Sequence, residues 1–159
     1  MTTAHIHRCC SFRIGDACFA VPADGVVEVL RAGRTTRVPL APAGILGLVH
    51  LRGRIVPVVD PAAHLGIERP CPERGTLLVI ALQEDWYAVV IDEMHDVLEI
   101  PVDAIEHPAA GGDGADPLTG IFAAPERLVH LVDPQRMIHS LVRREAAGNR
   151  EAGSFHGKP

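Results

Sequence analysis

Positive charge is sparse in this chain and nowhere gathered. Its 15 lysines and arginines face 20 aspartates and glutamates, for a net charge of −5, and no basic run exceeds Arg143-Arg144. A nucleic-acid backbone or an anionic membrane surface needs a basic face, so the composition argues against both as partners. Long apolar runs are missing too. The longest, TLLVIAL at 76–82, falls far short of the ~20 residues that span a bilayer. The N-terminal MTTAHIHRCC has no apolar signal core, so a cytoplasmic location is expected. The four cysteines, Cys9, Cys10, Cys18 and Cys71, form no CxxC pair and read as free thiols in a reducing compartment. Aromatic residues make up only 4%, too few to line a groove that reads polyproline. There is no GxxxxGK[ST], no GxSxG and no HExxH, and serine is scarce. GGDGAD at 111–116 follows no strand and opens no helix, so it is not a dinucleotide fingerprint.

What is present is apolar residue, 47% of 159. That is enough to fold one compact unit, or two small lobes sharing a core, without metals or disulfides. The chain also repeats itself. CFAVPADGVVEVL (18–30) aligns with WYAVVIDEMHDVL (86–98), 68 positions on, and GRIVPVVDPAAHL (53–65) aligns with ERLVHLVDPQRMI (126–138), 73 positions on. Two matches in the same order at nearly equal spacing indicate a duplicated half of roughly 65–70 residues. The extra length falls near HPAAGGDGADP, which reads as a loop insertion. Each half alone has a thin core, so the two are expected to pack together.

Each half reads as β. SFRIG, CFAVP, GLVHL, RIVPVVD, TLLVIAL and WYAVVID are short runs rich in Val, Ile, Leu and aromatics, bounded by Gly, Pro or acidic turns. Short strands with frequent turns favour small barrels. LRGR places Gly53 at a tight hairpin bend, and Pro57 marks an edge or a bulge because it has no N–H for the ladder. A short helix is expected over 60–67 and a longer one over 133–147. Each begins Asp-Pro, with Asp60 or Asp133 as N-cap.

Several residues look chemical in isolation. Asp60 and Asp133 are absorbed by capping. HIHRCC (5–10) has metal-ligand types but lies in a stretch read as a tail without a supporting scaffold. His95, in DEMHD, aligns with Val27, an ordinary structural position. His64, His130 and His139 fall in core or helix patterns, and Trp86 and Tyr87 read as barrel-wall residues.

The blocks FRIGDACFAVPADGVVEVL, TRVPLAPAGILGLVHLRGRIVPVVD, VVIDEMHDVLEIP and LTGIFAAPERLVHLVDPQRMI, in this order, resemble the successive blocks of CheW-like proteins, the scaffold adaptors of bacterial chemotaxis arrays. The most specific is G-x-x-x-L-R-G-x-x-V-P-V-V-D, at 47–60. The resemblance implies a mainly β fold of two small five-stranded SH3-like β-barrels packed around a shared hydrophobic core. With the helices read above, this makes one domain over 12–143, lobes near 12–70 and 75–135, and flexible tails at 1–11 and 146–159. It implies no enzymatic activity and no cofactor. The implied partners are the regulatory domain of a CheA-type histidine kinase and the cytoplasmic tip of a methyl-accepting chemoreceptor. Neither nucleic acid nor membrane insertion is implied, and the implied location is the cytoplasmic side of membrane-associated arrays.

Residue by residue, the family's essential arginine falls on Arg52 and its first-half glutamate on Glu28. Val26 matches a receptor-facing apolar position, and Gly47 a glycine at which receptor coupling is sensitive. His50 stands where many relatives have Asn and brings a group that titrates near neutral pH. An arginine at a hairpin tip is costly to bury unpaired, and Glu28 is the carboxylate expected to meet it. Val26 and Val27 are expected to be exposed beside that pair, giving a contact with an apolar centre and a polar orienter. A helix of the receptor tip would supply the complementary apolar stripe. Two alternatives stand beside this reading: a CheW-like subunit of a non-flagellar pathway such as twitching motility or biofilm control, and a His/Cys metal-binding protein.

Overall fold

The computed structural model describes residues 5–31, 44–70, 75–108 and 116–141. Cys71, most of the glycine-rich insertion and the expected tail at 146–159 lie outside them. Among the described residues eleven strands form two sheets. In chain order they are β1 (Ile6–Ile14), β2 (Ala17–Pro22), β3 (Val26–Arg31), β4 (Ile45–Leu51), β5 (Arg54–Val59), β6 (Thr76–Leu82), β7 (Asp85–Ile91), β8 (Glu93–Pro101), β9 (Ile105–Glu106), β10 (Leu118–Ala123) and β11 (Leu128–Val132). The first barrel runs β8-β1-β2-β11-β10-β9 and the second β3-β6-β7-β5-β4.

The sequence repeat sets β1 to β5 against β6, β7, β8, β10 and β11. Replacing each strand by its counterpart turns β3-β6-β7-β5-β4 into β8-β1-β2-β11-β10. The two barrels are therefore images of one another, and the two-residue β9 is the extra, sixth strand of the first. The lobes are not the contiguous 12–70 and 75–135 that were expected. The chain leaves the first barrel after β2 and returns after β7, so each sheet draws strands from both halves. The apolar pattern of β3 is the same whether it pairs with its own hairpin or with β6, which is why the exchange is invisible in the sequence.

The exchange builds three cores. Along β2, Phe19 and Val21 enter the shared core with Leu78, Ile80, Val89, Ile91 and Met137. Cys18 and Ala20 point into the first barrel with Cys9, Ile100 and Val129. Leu77, Val79, Ala88 and Val90 fill the second with Val56 and Val58. Strands buried on both faces read as unbroken apolar runs, as TLLVIAL does.

The N-terminal stretch expected as a tail is strand from Ile6 onward. β1 is paired on both sides, to β2 and β8, and its alternation sends Cys9 and Cys10 into different cores. Among its described residues His5 to Arg8 are exposed, which made the segment read as polar. Ser11 is fully buried and donates from Oγ to the Asp96 carbonyl at 2.7 Å, where the β1–β8 ladder bulges. β5 is an inner strand, not an edge, but its parallel pairing with β7 starts only at Val58. Pro57 sits just before that pairing, where its missing N–H is not needed.

Both Asp-Pro aspartates accept from backbone N–H groups, but only Asp133 caps a helix; the short turn after Asp60 has Ala62 at its N-cap. Asp133 Oδ1 accepts from the N–H groups of Gln135 (3.0 Å) and Arg136 (3.2 Å), and the helix runs over 134–141, burying Met137, Ile138 and Leu141. Asp60 Oδ1 accepts from Ala62 N–H at 3.2 Å. Its helix, however, is a single 3-10 turn, Ala63–Leu65, stopped by Gly66 at φ 76°. Asp60 has a second task. Arg69, only 9% exposed, grips it in bidentate fashion at 2.8 and 3.1 Å. Arg69 Nε also lies 2.9 Å from Asp92 Oδ1, an attraction of charge without hydrogen-bond alignment. Asp92 Oδ2 accepts from Gly15 N–H at 2.7 Å. One buried arginine thus ties the end of β5, the β7–β8 joint and the β1–β2 turn together.

Candidate functional site

The β4–β5 hairpin closes through Arg52 and Gly53, with Leu51 facing Arg54 as its last pair. Both turn residues have positive φ, 51° and 76°, which is the type I′ geometry that suits the right-handed twist of a hairpin. Glycine takes this conformation freely. An arginine held there is strained by about 1 kcal/mol. The strain fixes where the side chain leaves the turn.

β3 and β4 are the two open edges of the second barrel. Glu28 on β3 faces Val79 across the ladder, and Val79 points into the barrel core. Arg52 Nε reaches Glu28 Oε2 at 3.3 Å, bridging the hairpin to the opposite edge of the sheet. The expected pair is therefore made. It is an ion pair rather than an aligned hydrogen bond, and Glu28 Oε2 is buried without a donor among the described residues. The Arg52 side chain remains 64% exposed, so its other N–H groups are free to reach an acceptor on another molecule. With its arginine largely in solvent, such a pair contributes about 0.2–1 kcal/mol, no more than the strain of the turn. The pair adds little net stability to the hairpin.

The remaining predicted residues divide. His50 is exposed and faces Ile55 across the β4–β5 ladder. Gly47 is buried beside the bulge between Ile45 and Gly47, opposite Val58. Its repeat counterpart, Gly120, sits at the matching bulge of β10. Val26 and Val27 are half-buried rather than presented, Val26 against the shared core and Val27 against the second barrel's core. The ladder bulges between Val26 and Glu28, and the two neighbouring valines face opposite sides of the strand, each against its own core.

Two exposed apolar side chains on the strands of the second barrel are Ile55 (62%) and Val29 (40%), which were not singled out from the sequence. The signal for Ile55 was there: Val56 and Val58 point inward, so strand alternation puts Ile55 outside. Both have exposed counterparts in the repeat, Leu128 (58%) and Val97 (56%). The match extends to pairing, because Ala123 faces Leu128 as His50 faces Ile55. The Arg52–Glu28 pair has no such image; the position matching Arg52 is Pro125. Trp86 packs against the second barrel's core with the Arg54 guanidinium 4.3 Å above its ring.

Burial pushes the thiols of Cys9, Cys10 and Cys18 above the usual range, with the charge of Asp24 adding to the effect at Cys9. Among the described residues no three metal-ligating side chains converge, and no helix is long and apolar enough to cross a membrane.

The model of the CheW-like domain matches residues 8–142. The chain belongs to the CheW-like family. It is 34% identical over 140 residues to Protein FrzA of Myxococcus xanthus, covering 86% of this chain and 88% of that one. It is 31% identical over 140 residues to Chemotaxis protein CheW of Rhizobium meliloti, covering 86% and 90%. Among solved structures it is similar to the scaffolding protein TtCheW of Thermoanaerobacter tengcongensis, with a TM-score of 0.71 at 23% identity over 81% of this chain and 90% of that one. That likeness establishes the CheW-like fold, two barrels around a shared core.

Proposed function

We propose that this CheW-like chain acts without catalysis as a signalling adaptor, docking the regulatory domain of a CheA-type histidine kinase and the cytoplasmic tip of a chemoreceptor at membrane-associated arrays. One observation carries the reading: each barrel presents an equivalent pair of exposed apolar side chains, Ile55 with Val29 on one and Leu128 with Val97 on the other. Two similar faces on one small molecule hold two partners at once, and a partner with the same two-barrel fold extends the contact head to tail. The Arg52–Glu28 pair is unique to the second barrel and makes that face distinct. Arg52, with His50 beside it on β4, orients the partner, while Val26, Val27 and Gly47 shape the strands behind the contact.

The test mixes the purified chain with the kinase regulatory domain and a receptor cytoplasmic fragment and resolves the mixture by size-exclusion chromatography. A three-component peak is expected. Ile55→Asp and Leu128→Asp should each abolish one pairwise contact and spare the other. A chain that joins neither partner would contradict the proposal. A second reading is favoured by FrzA, a relative whose name is not that of a chemotaxis protein: the same adaptor chemistry in a chemosensory pathway other than flagellar taxis. Binding to one of the host's kinases in preference to the others decides between the two.

A further inference from the structure

The internal repeat sets two places side by side that differ in one residue. In the first, Arg69 is buried among Asp60, Asp92 and the Val90 carbonyl, at 2.8, 2.9 and 3.5 Å. In the repeat register these three correspond to Asp133, Asp24 and Pro22. All three line one open cavity of about 560 Å³ between the barrels. The matching β-turns agree as well, Gly15 at φ 60° and Gln83 at φ 59°. The position matching Arg69 is Val142, so the residue that supplies the arginine at the first place is not an arginine at the second.

We propose that this cavity takes the arginine side chain of a partner protein. Asp24 is exposed and has no hydrogen-bond or ion-pair partner among the described residues. Asp133 caps its helix, but Asp60 likewise accepts from a backbone N–H while gripping Arg69, so the two tasks are compatible. Cys9, Ala20, Leu82, Ile105 and Leu131 complete the lining, an apolar wall suited to an arginine stem. Arg8 also lines the cavity, and its guanidinium is drawn to Glu99 at 3.4 Å. Two carboxylates lining one cavity favour the planar fork of a guanidinium over an ammonium. The partner rests on the adaptor reading; the guanidinium preference does not.

The test titrates L-arginine amide into the isotope-labelled full chain and follows amide shifts by NMR, with L-lysine amide as comparison. Shifts centred on Asp24, Gly25 and Gln135 are expected, clearly larger for the arginine probe. Asp24→Asn and Asp133→Asn should each weaken binding about tenfold. Both variants should fold, since Asp24 is exposed and Asn is a good helix cap. Dispersed shifts, an equal response to lysine amide, or indifference to the two substitutions overturns the proposal. So does binding that appears only when Arg143 and Arg144 are replaced by alanine, because the chain would then be filling its own cavity. Neither kinase nor receptor is needed, so this outcome is separate from that of the adaptor test.

Discussion

Arg69→Met removes the cation that holds the two barrels at their inner joint. Methionine roughly keeps the stem's volume, so the loss is mostly of charge and hydrogen bonds. It leaves the Asp60 and Asp92 side chains, 18% and 16% exposed, facing a site with no cation between them. Arg13 remains near Asp92 at 3.4 Å but is itself 40% exposed. Breaking a buried ion pair by deleting one partner costs about 3–5 kcal/mol. At roughly 2–4 °C per kcal/mol for a chain of this size, the melting temperature should fall by about 6–20 °C. Differential scanning calorimetry and a urea titration measure the change. Adding Asp60→Asn and Asp92→Asn to the same variant should restore most of it, because the amides keep an acceptor for Ala62 and Gly15 without the stranded charge. A loss within about 0.5 kcal/mol, the range of ordinary surface substitutions, or no recovery in the triple variant, would refute the reasoning.

Three further outcomes follow from local geometry. Gly120→Ala would bring a Cβ to 2.6 Å from Ile105 Cγ2 and 3.3 Å from the Glu106 carbonyl; a destabilisation of about 1–3 kcal/mol is expected by urea unfolding, and an unchanged midpoint contradicts the close approach of β9. Gln83 holds the φ of 59° that Gly15 holds in the matching turn, so Gln83→Gly should stabilise by about 0.5–1 kcal/mol, read as a higher urea midpoint at unchanged slope. The buried thiols of Cys9, Cys10 and Cys18 keep their protons above the ordinary value of 9.0, and Tyr87 shifts the same way above 10.0. Above that thiol value the unfolded chain binds fewer protons than the native one, so stability should be level below it and fall as pH rises further; a rise in the urea midpoint over that range would contradict the burial.

The repeat carried much of the fold into view. It paired β2 and β3 with β7 and β8, and β5 with β11, and it marked Asp60 and Asp133 as twins. It could not show that β3 and β8 change places, because alternation records which face of a strand is buried and not which neighbour lies beside it. The single-turn helix at Ala63–Leu65 fell short of its expected 60–67 because Gly66 takes a left-handed conformation. Arg69 went unread for a different reason: Asp60 and Asp92 follow the ends of two neighbouring parallel strands that are far apart in sequence, and no local pattern announces the meeting. At the candidate site, Arg52 and Glu28 were legible through the family's motif. Val26 and Val27 were misplaced because both sides of β3 lie against a core there, and the bulge between Val26 and Glu28 leaves no mark in so uniform a run as VVEVL.

The docking role proposed for the Arg52 turn is tested most directly by calorimetric titration of the kinase regulatory domain and of the receptor fragment, separately, into the native chain and into Arg52→Ala. Alanine keeps the strain of the left-handed turn position, so stability should change only by about 0.2–1 kcal/mol, which moves the melting temperature by roughly 4 °C at most. The account predicts a folded variant that binds at least one partner about tenfold or more weakly. Native affinity for both partners in a variant with an unchanged melting temperature would contradict it.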